Sequence, residues 1–154
     1  MAHRTVPAGD FWIMQYDRMH RSRKRMAGTF SSTEEYDDAV FHFFQDAWHL
    51  KDWLKKDSTL PITVRSNVEA DVARQPFLCT AADIANGSKH LELDTSRAGT
   101  VITERRVNLY IEEDPVRAEH EHSIKTGSVS MTAAELADKV LTKWDELLKA
   151  YGLR

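Results

Sequence analysis

The chain has 154 residues and a formal charge of −3, from 21 basic and 24 acidic side chains, with 42% apolar and 29% charged residues. This excludes a disordered segment and a global field that would draw in nucleic acid or anionic lipid; such a partner has to be met by a local patch. One cysteine, Cys79, excludes an intrachain disulfide and suits a reducing compartment. The length suits a single helical-bundle domain over residues 1–154, able to bury roughly 70% of its unfolded surface without a staple.

The first helix is expected from Asp10, a capping residue, to Met26, with Gly28 beyond its end. Its C-terminal half carries Arg21 to Arg25 (RSRKR), positive charge that complements the negative end of the helix dipole. The second helix opens on a capping box, Ser31 with Glu34 or Ser32 with Glu35. Tyr36, Val40, Phe43, Ala47, Leu50 and Leu54 then recur at alternating spacings of four and three, one face of a long helix closed by Lys55, Lys56 and Asp57. Phe41, Phe44 and Trp48 form a second apolar line on its other side. Such a helix is either central in its bundle or shared with a second subunit, as in a non-catalytic interaction module that dimerises through this surface.

Pro61 suits the first position of a third, short helix over about 62–74, which Gln75-Pro76 interrupts. A fourth follows over about 77–90, with Phe77, Leu78, Ala81, Ile84 and Ala85 as its apolar face and Cys79, Asp83, Asn86 and His90 on a line away from it. From Asp94 to Ser130 the texture becomes strand-like, with alternation at Val101, Ile102, Val107, Leu109 and Ile111, a turn at Asp114-Pro115 and another at Thr126-Gly127. A last helix starts at a capping box of Thr132 and Glu135, shows one apolar stripe through Leu136, Val140, Trp144 and Leu148, and stops at Gly152. The fold expected is mainly α: a bundle of four to five helices with a small β-hairpin or meander before the C-terminal helix.

Chemistry concentrates on two helices. On the second, His42, Asp46, His49 and Trp53 share one stripe beside the core face. On the fourth, Asp83, Asn86 and His90 share another. If the stripes face each other, His42, Asp46, His49 and Asp83 form a polar binding pocket of low dielectric. One reading is acid–base chemistry, with His90 as general acid–base and Asn86 and Lys89 positioning a phosphate. Another is a metal site, because Asp46-x-x-His49 aims two side chains at one ion. Only one such pair exists, and the chain lacks zinc-type cysteine pairs and a phosphate-binding glycine loop, so no metal or cofactor is expected. A third reading leaves the histidines as boundary residues bonded to their neighbours.

The stretch DIANGSKHLEL, Asp83 to Leu93, following the aromatic-rich FHFFQDAWHLKDWL, resembles HEPN-type helical domains of prokaryotic defence and toxin–antitoxin systems. Some members end the corresponding helix with Asn-x-x-Lys-His, matched by Asn86, Lys89 and His90. The resemblance covers about residues 31–93 and the last helix. It implies RNA as a partner, a metal-independent ribonuclease activity in active members, and a symmetric homodimer. The active members' Arg-x4-6-His motif has no counterpart before His90, where Asn86 stands instead.

Other patterns are weaker. Arg117 and His122 form an Arg-x4-His string in the β-like segment. Arg21 to Arg25 offer cations for a phosphate backbone, or a solvated helix end. Glu119-His120-Glu121-His122 is expected as a solvated loop; the alternative is a metal site, since on a strand His120 and His122 would share a face. The first 30 residues show no apolar signal core, and no run approaches the roughly 18 apolar residues that cross a bilayer. No membrane partner and a cytoplasmic location are therefore expected.

Overall fold

A computed structural model describes residues 11–87, 100–110 and 117–154 of the chain, with side chains over 11–87 and 120–154. Its elements, in order, are α1 (Phe11–Met26), α2 (Thr33–Lys56), α3 (Ile62–Ala73), α4 (Pro76–Gly87), β1 (Thr100–Tyr110), β2 (Arg117–Thr126), β3 (Val129–Thr132) and α5 (Ala133–Ala150). The architecture is the expected one: a mainly α bundle with a small antiparallel β insertion before the last helix. None of the described helices is long and apolar enough to cross a membrane.

Local signals explain the helix boundaries. Ser32 caps α2 by accepting from the Glu35 N–H at 3.2 Å, while Glu35 reaches back to the Ser31 N–H at 3.0 Å. At α5 the box closes on one residue: Thr132 accepts from Glu135 N–H and donates its own N–H to the Glu135 carboxylate. Gly152, at φ +71°, ends α5; the Leu153 N–H bonds back to the Leu148 carbonyl at 2.9 Å, closing a Schellman turn. Pro61 sits one position earlier than expected, as the N-cap of α3, and Pro76 opens α4 because its missing N–H costs nothing in a first turn.

α2 is the axis of the bundle. It packs against α1, α3, α4 and α5. Its expected line of Tyr36, Val40, Phe43, Ala47, Leu50 and Leu54 is buried, and so is Phe44 on the second line. Phe41 and Trp48 are half-buried against the same core. The second apolar line is therefore covered largely within one chain, as expected of a helix central in its bundle. Trp144 of α5, fully buried, donates its indole N–H to the Ala47 carbonyl at 3.0 Å, so a large apolar ring enters the core with its one polar atom satisfied.

The sheet is an antiparallel meander in the order β1-β2-β3. β1 pairs with β2 from Thr100↔Thr126 to Tyr110↔Arg117, with a one-residue register shift between Ile102 and Glu104. β2 and β3 close on Thr126↔Val129, leaving Gly127-Ser128 as a two-residue turn in which Gly127 takes φ +59°. Only glycine adopts that conformation without strain, and this is the Thr126-Gly127 turn seen in the sequence. Ile124 of β2, fully buried, joins the helical core and anchors the sheet to it. The Asp114-Pro115 turn lies outside the described residues.

Candidate functional site

The residues that set the site are Gln15 and Ser22 on α1 and Asp46 on α2. The Ser22 hydroxyl donates to the Asp46 carboxylate at 2.5 Å, and the Gln15 side-chain amide donates to the Asp46 backbone carbonyl at 2.9 Å. The two helices run antiparallel, since Trp12 meets Asp57 at one end and Arg25 lies beside Glu35 at the other. These contacts fix the rotation of each helix about its axis.

With that rotation fixed, helical spacing decides what lies on the solvent side. On α1, Met14, Arg18, Arg21 and Arg25 recur at i, i+4, i+7 and i+11, next to the Gln15–Ser22 line and away from the core. All four are exposed, Met14 at 43%. On α2, His42 and His49 flank Asp46 on its solvent side, and both are exposed. Helical spacing therefore places three exposed arginines on the α1 side of the seam and two exposed histidines on the α2 side. Not all of the basic run is available: Arg23 makes a two-nitrogen contact with Asp138 of α5, at 2.8 and 3.2 Å.

Near one end of the seam lies a cleft of about 330 Å³ lined by Phe11, Asp52, Trp53, Lys56 and Asp57. The Arg18 guanidinium lies over the half-buried Trp53 ring, 5.8 Å from its centroid. Asp57 serves as cap for two helices. It ends α2, and its carboxylate accepts from Trp12 N–H at 3.3 Å, at the N-terminus of α1. Burial pushes the Asp57 carboxyl up, but the Thr59 hydroxyl and N–H and the Trp12 and Phe11 N–H groups outweigh it and hold it below the ordinary carboxylate value. At the other end, hydrogen bonds from Ser31, with the charge of Arg25 adding less, hold Glu35 below its ordinary value.

The sequence grouped these residues differently. His42, Asp46, His49 and Trp53 do share a stripe, but it faces the α1 seam: Asp46 is taken up by Ser22 and Gln15. Asp83 does not join it in an open pocket; it is buried at 2% within α4, where the expected polar line is largely covered from Leu78 to Ala85. Asn86 is half-buried near the α4 end, and Lys89 and His90 lie outside the described residues. Among the described residues no three His, Cys, Asp or Glu side chains converge as metal ligands would, so His42, Asp46 and His49 are not gathered around one point.

The solvated-loop expectation for Glu119 to His122 is overturned. The segment is in β2 and packs on the start of α2. His122, 1% exposed, donates its Nε2–H to the Asp37 carboxylate and meets Tyr36 edge-on at 4.7 Å. A carboxylate only accepts, so the proton is on Nε2. His120 stacks on Tyr36 at 5.7 Å and meets Phe30 edge-on at 6.2 Å, with both ring nitrogens buried and unpartnered. Burial pushes the Tyr36 hydroxyl up, and the charge of Glu121 adds to this. Sequence periodicity missed the cluster because Glu and His alternate with no apolar residue between them. Its enclosure makes it a tie between sheet and helix. The Arg117-to-His122 string runs along this same strand.

A larger open groove of about 660 Å³ lies between Phe77, β3 and α5. Its charges are largely engaged with one another or with neighbours: Lys143 with Glu146, Asp138 with Arg23, and Lys139 over the Phe77 ring. The α1–α2 seam is where cations stand exposed in a row. Comparison with protein-family models, with curated proteins and with solved structures found no match to the chain.

Proposed function

We propose that this chain is a HEPN-like, RNA-directed helical domain that holds the phosphate backbone along the α1–α2 seam. The observation that carries the reading is the exposed row of Arg18, Arg21 and Arg25, set on one side of the seam by the Asp46 anchor. Arginine presents a planar fork of donors suited to phosphate oxygens, and its charge is permanent. The row advances roughly 10.5 Å along the helix from first to last, so its three cations lie along one line that a phosphate backbone can follow. His42 and His49 add donors on the α2 side. The sequence resemblance, carried by residues 31–93, supports the same partner.

Acid–base work, on this reading, belongs to His90, with Asn86 and Lys89 positioning phosphate. Fluorescence anisotropy with labelled single-stranded RNA tests the binding claim. The wild-type protein binds, and Arg18→Glu/Arg21→Glu/Arg25→Glu does not. A triple variant that binds as tightly as wild type removes the reading. Incubation of RNA with wild type and His90→Ala tests the chemical claim; equal RNA loss with both, or none with either, removes it.

A further inference from the structure

The cleft at the Trp53 end of the seam has a composition that the arginine row does not explain. It combines two aromatic walls, Phe11 and Trp53, with one exposed cation, Lys56, and two carboxylates, Asp52 and Asp57. Its volume of about 330 Å³ lies at the small end of the range for sites that enclose a small planar ligand. It is continuous with the row: Arg18, the first arginine, sits directly over the Trp53 ring. Both carboxylates are partly engaged, Asp52 by Lys51 at 2.8 Å and Asp57 by Trp12 and Thr59.

We infer that this cleft takes one unpaired nucleobase of a single RNA strand whose phosphates run along Arg18, Arg21 and Arg25. The inference rests on the proposed RNA-directed function and names its substrate class: single-stranded RNA, not duplex. Three features argue for it. A nucleobase has a π-face that stacks on an indole and an edge of N–H donors that a carboxylate such as Asp52 accepts. Arg18 is placed to hold the phosphate attached to that base while its guanidinium stays over Trp53. A base paired within a duplex cannot leave its stack to enter the cleft without losing its partner. The aromatic anchor sets one end of the strand and the arginines set its path, so the strand follows α1 from its middle toward its C-terminus.

The test uses three labelled ligands: a mixed-sequence RNA single strand, an abasic ribose-phosphate strand of equal length, and an RNA duplex of that length. Full-length protein is titrated with each by anisotropy. The single strand binds about 5- to 150-fold more tightly than the abasic strand, the ratio expected when one stacked base is lost, and more tightly than the duplex. Trp53→Leu, which keeps an apolar side chain against the core, narrows the ratio between the single strand and the abasic strand toward one.

Equal affinity for single and abasic strands on the unaltered protein overturns the inference, whether or not the Trp53 variant folds. So does a preference for duplex. In both cases the arginine row stands, provided that the triple arginine variant still loses binding. No binding of any of the three ligands overturns the inference and the proposed function together.

Discussion

Ser22 donates its hydroxyl to the Asp46 carboxylate at 2.5 Å across the α1–α2 seam. That bond, with the Gln15 amide on the Asp46 carbonyl, sets which face each helix shows to water. Turning either helix by one residue, about 100°, would carry the arginines or the histidines away from the seam. Asp46→Ala leaves the Ser22 hydroxyl without this acceptor and is expected to cost about 1–3 kcal/mol. Urea unfolding measures it; a loss under about 0.5 kcal/mol would show that the seam does not depend on this contact.

The arginines of α1 are not equivalent. Arg23 is held by Asp138, whereas Arg21 stands exposed in the row. Arg21→Ala is expected to weaken single-stranded RNA binding several-fold more than Arg23→Ala. Both variants should stay within about 1 kcal/mol of wild-type stability, because neither leaves a core contact. Anisotropy and melting of the two variants side by side check this, and the reverse order of affinities would place the strand on the α5 side of α1.

His122 ties the sheet to α2 through Asp37 and Tyr36. His122→Ala removes a buried hydrogen bond to a charged group and leaves a cavity the size of a ring, an expected loss of at least about 2 kcal/mol. His120→Ala should cost less, since that ring makes no hydrogen bond and is only half-buried. Neither change should alter RNA affinity in protein that remains folded, because the cluster is enclosed away from the seam. Denaturant midpoints read the first claim and anisotropy the second.

Asp57 gives the fold a dependence on acid. Its folded pKa is lowered, so its stabilising effect is full above the unfolded carboxylate value of about 3.9 and fades as pH falls from there through the depressed folded value. Asp57→Ala removes a cap at the N-terminus of α1, worth about 0.5–2 kcal/mol. The gap in stability between wild type and Asp57→Ala should therefore be wider at pH 7 than at pH 3. Melting curves at the two values decide it; a gap that widens in acid would contradict the assignment.

Much of the fold was legible because its signals are local. Capping residues at Ser32 and Thr132, the breaker Gln75-Pro76, the turn glycine Gly127 and the four-three spacing of α2 each act within a few residues of themselves. The stripe of His42, Asp46, His49 and Trp53 was legible for the same reason. Its neighbour was not, because a helical wheel gives a direction and not what stands there: α4 was the expected partner, and Ser22 and Gln15 on α1 are what Asp46 meets. Asp83 was expected in a pocket shared with the α2 stripe, but α4 is buried on most of its surface and Asp83 is enclosed there, while that stripe faces α1. His122 was hidden by its polar sequence neighbours, and its burial is set by Tyr36 and Asp37, some 85 positions away.

The salt dependence of single-stranded RNA binding tests the arginine row most directly. With three phosphate contacts released as counterions, log K against log salt should fall with a slope of about −2 for the wild type. Arg21→Ala should make the slope shallower by about 0.7. A wild-type slope near zero, or the same slope in the variant, would contradict the claim that Arg18, Arg21 and Arg25 hold the RNA backbone.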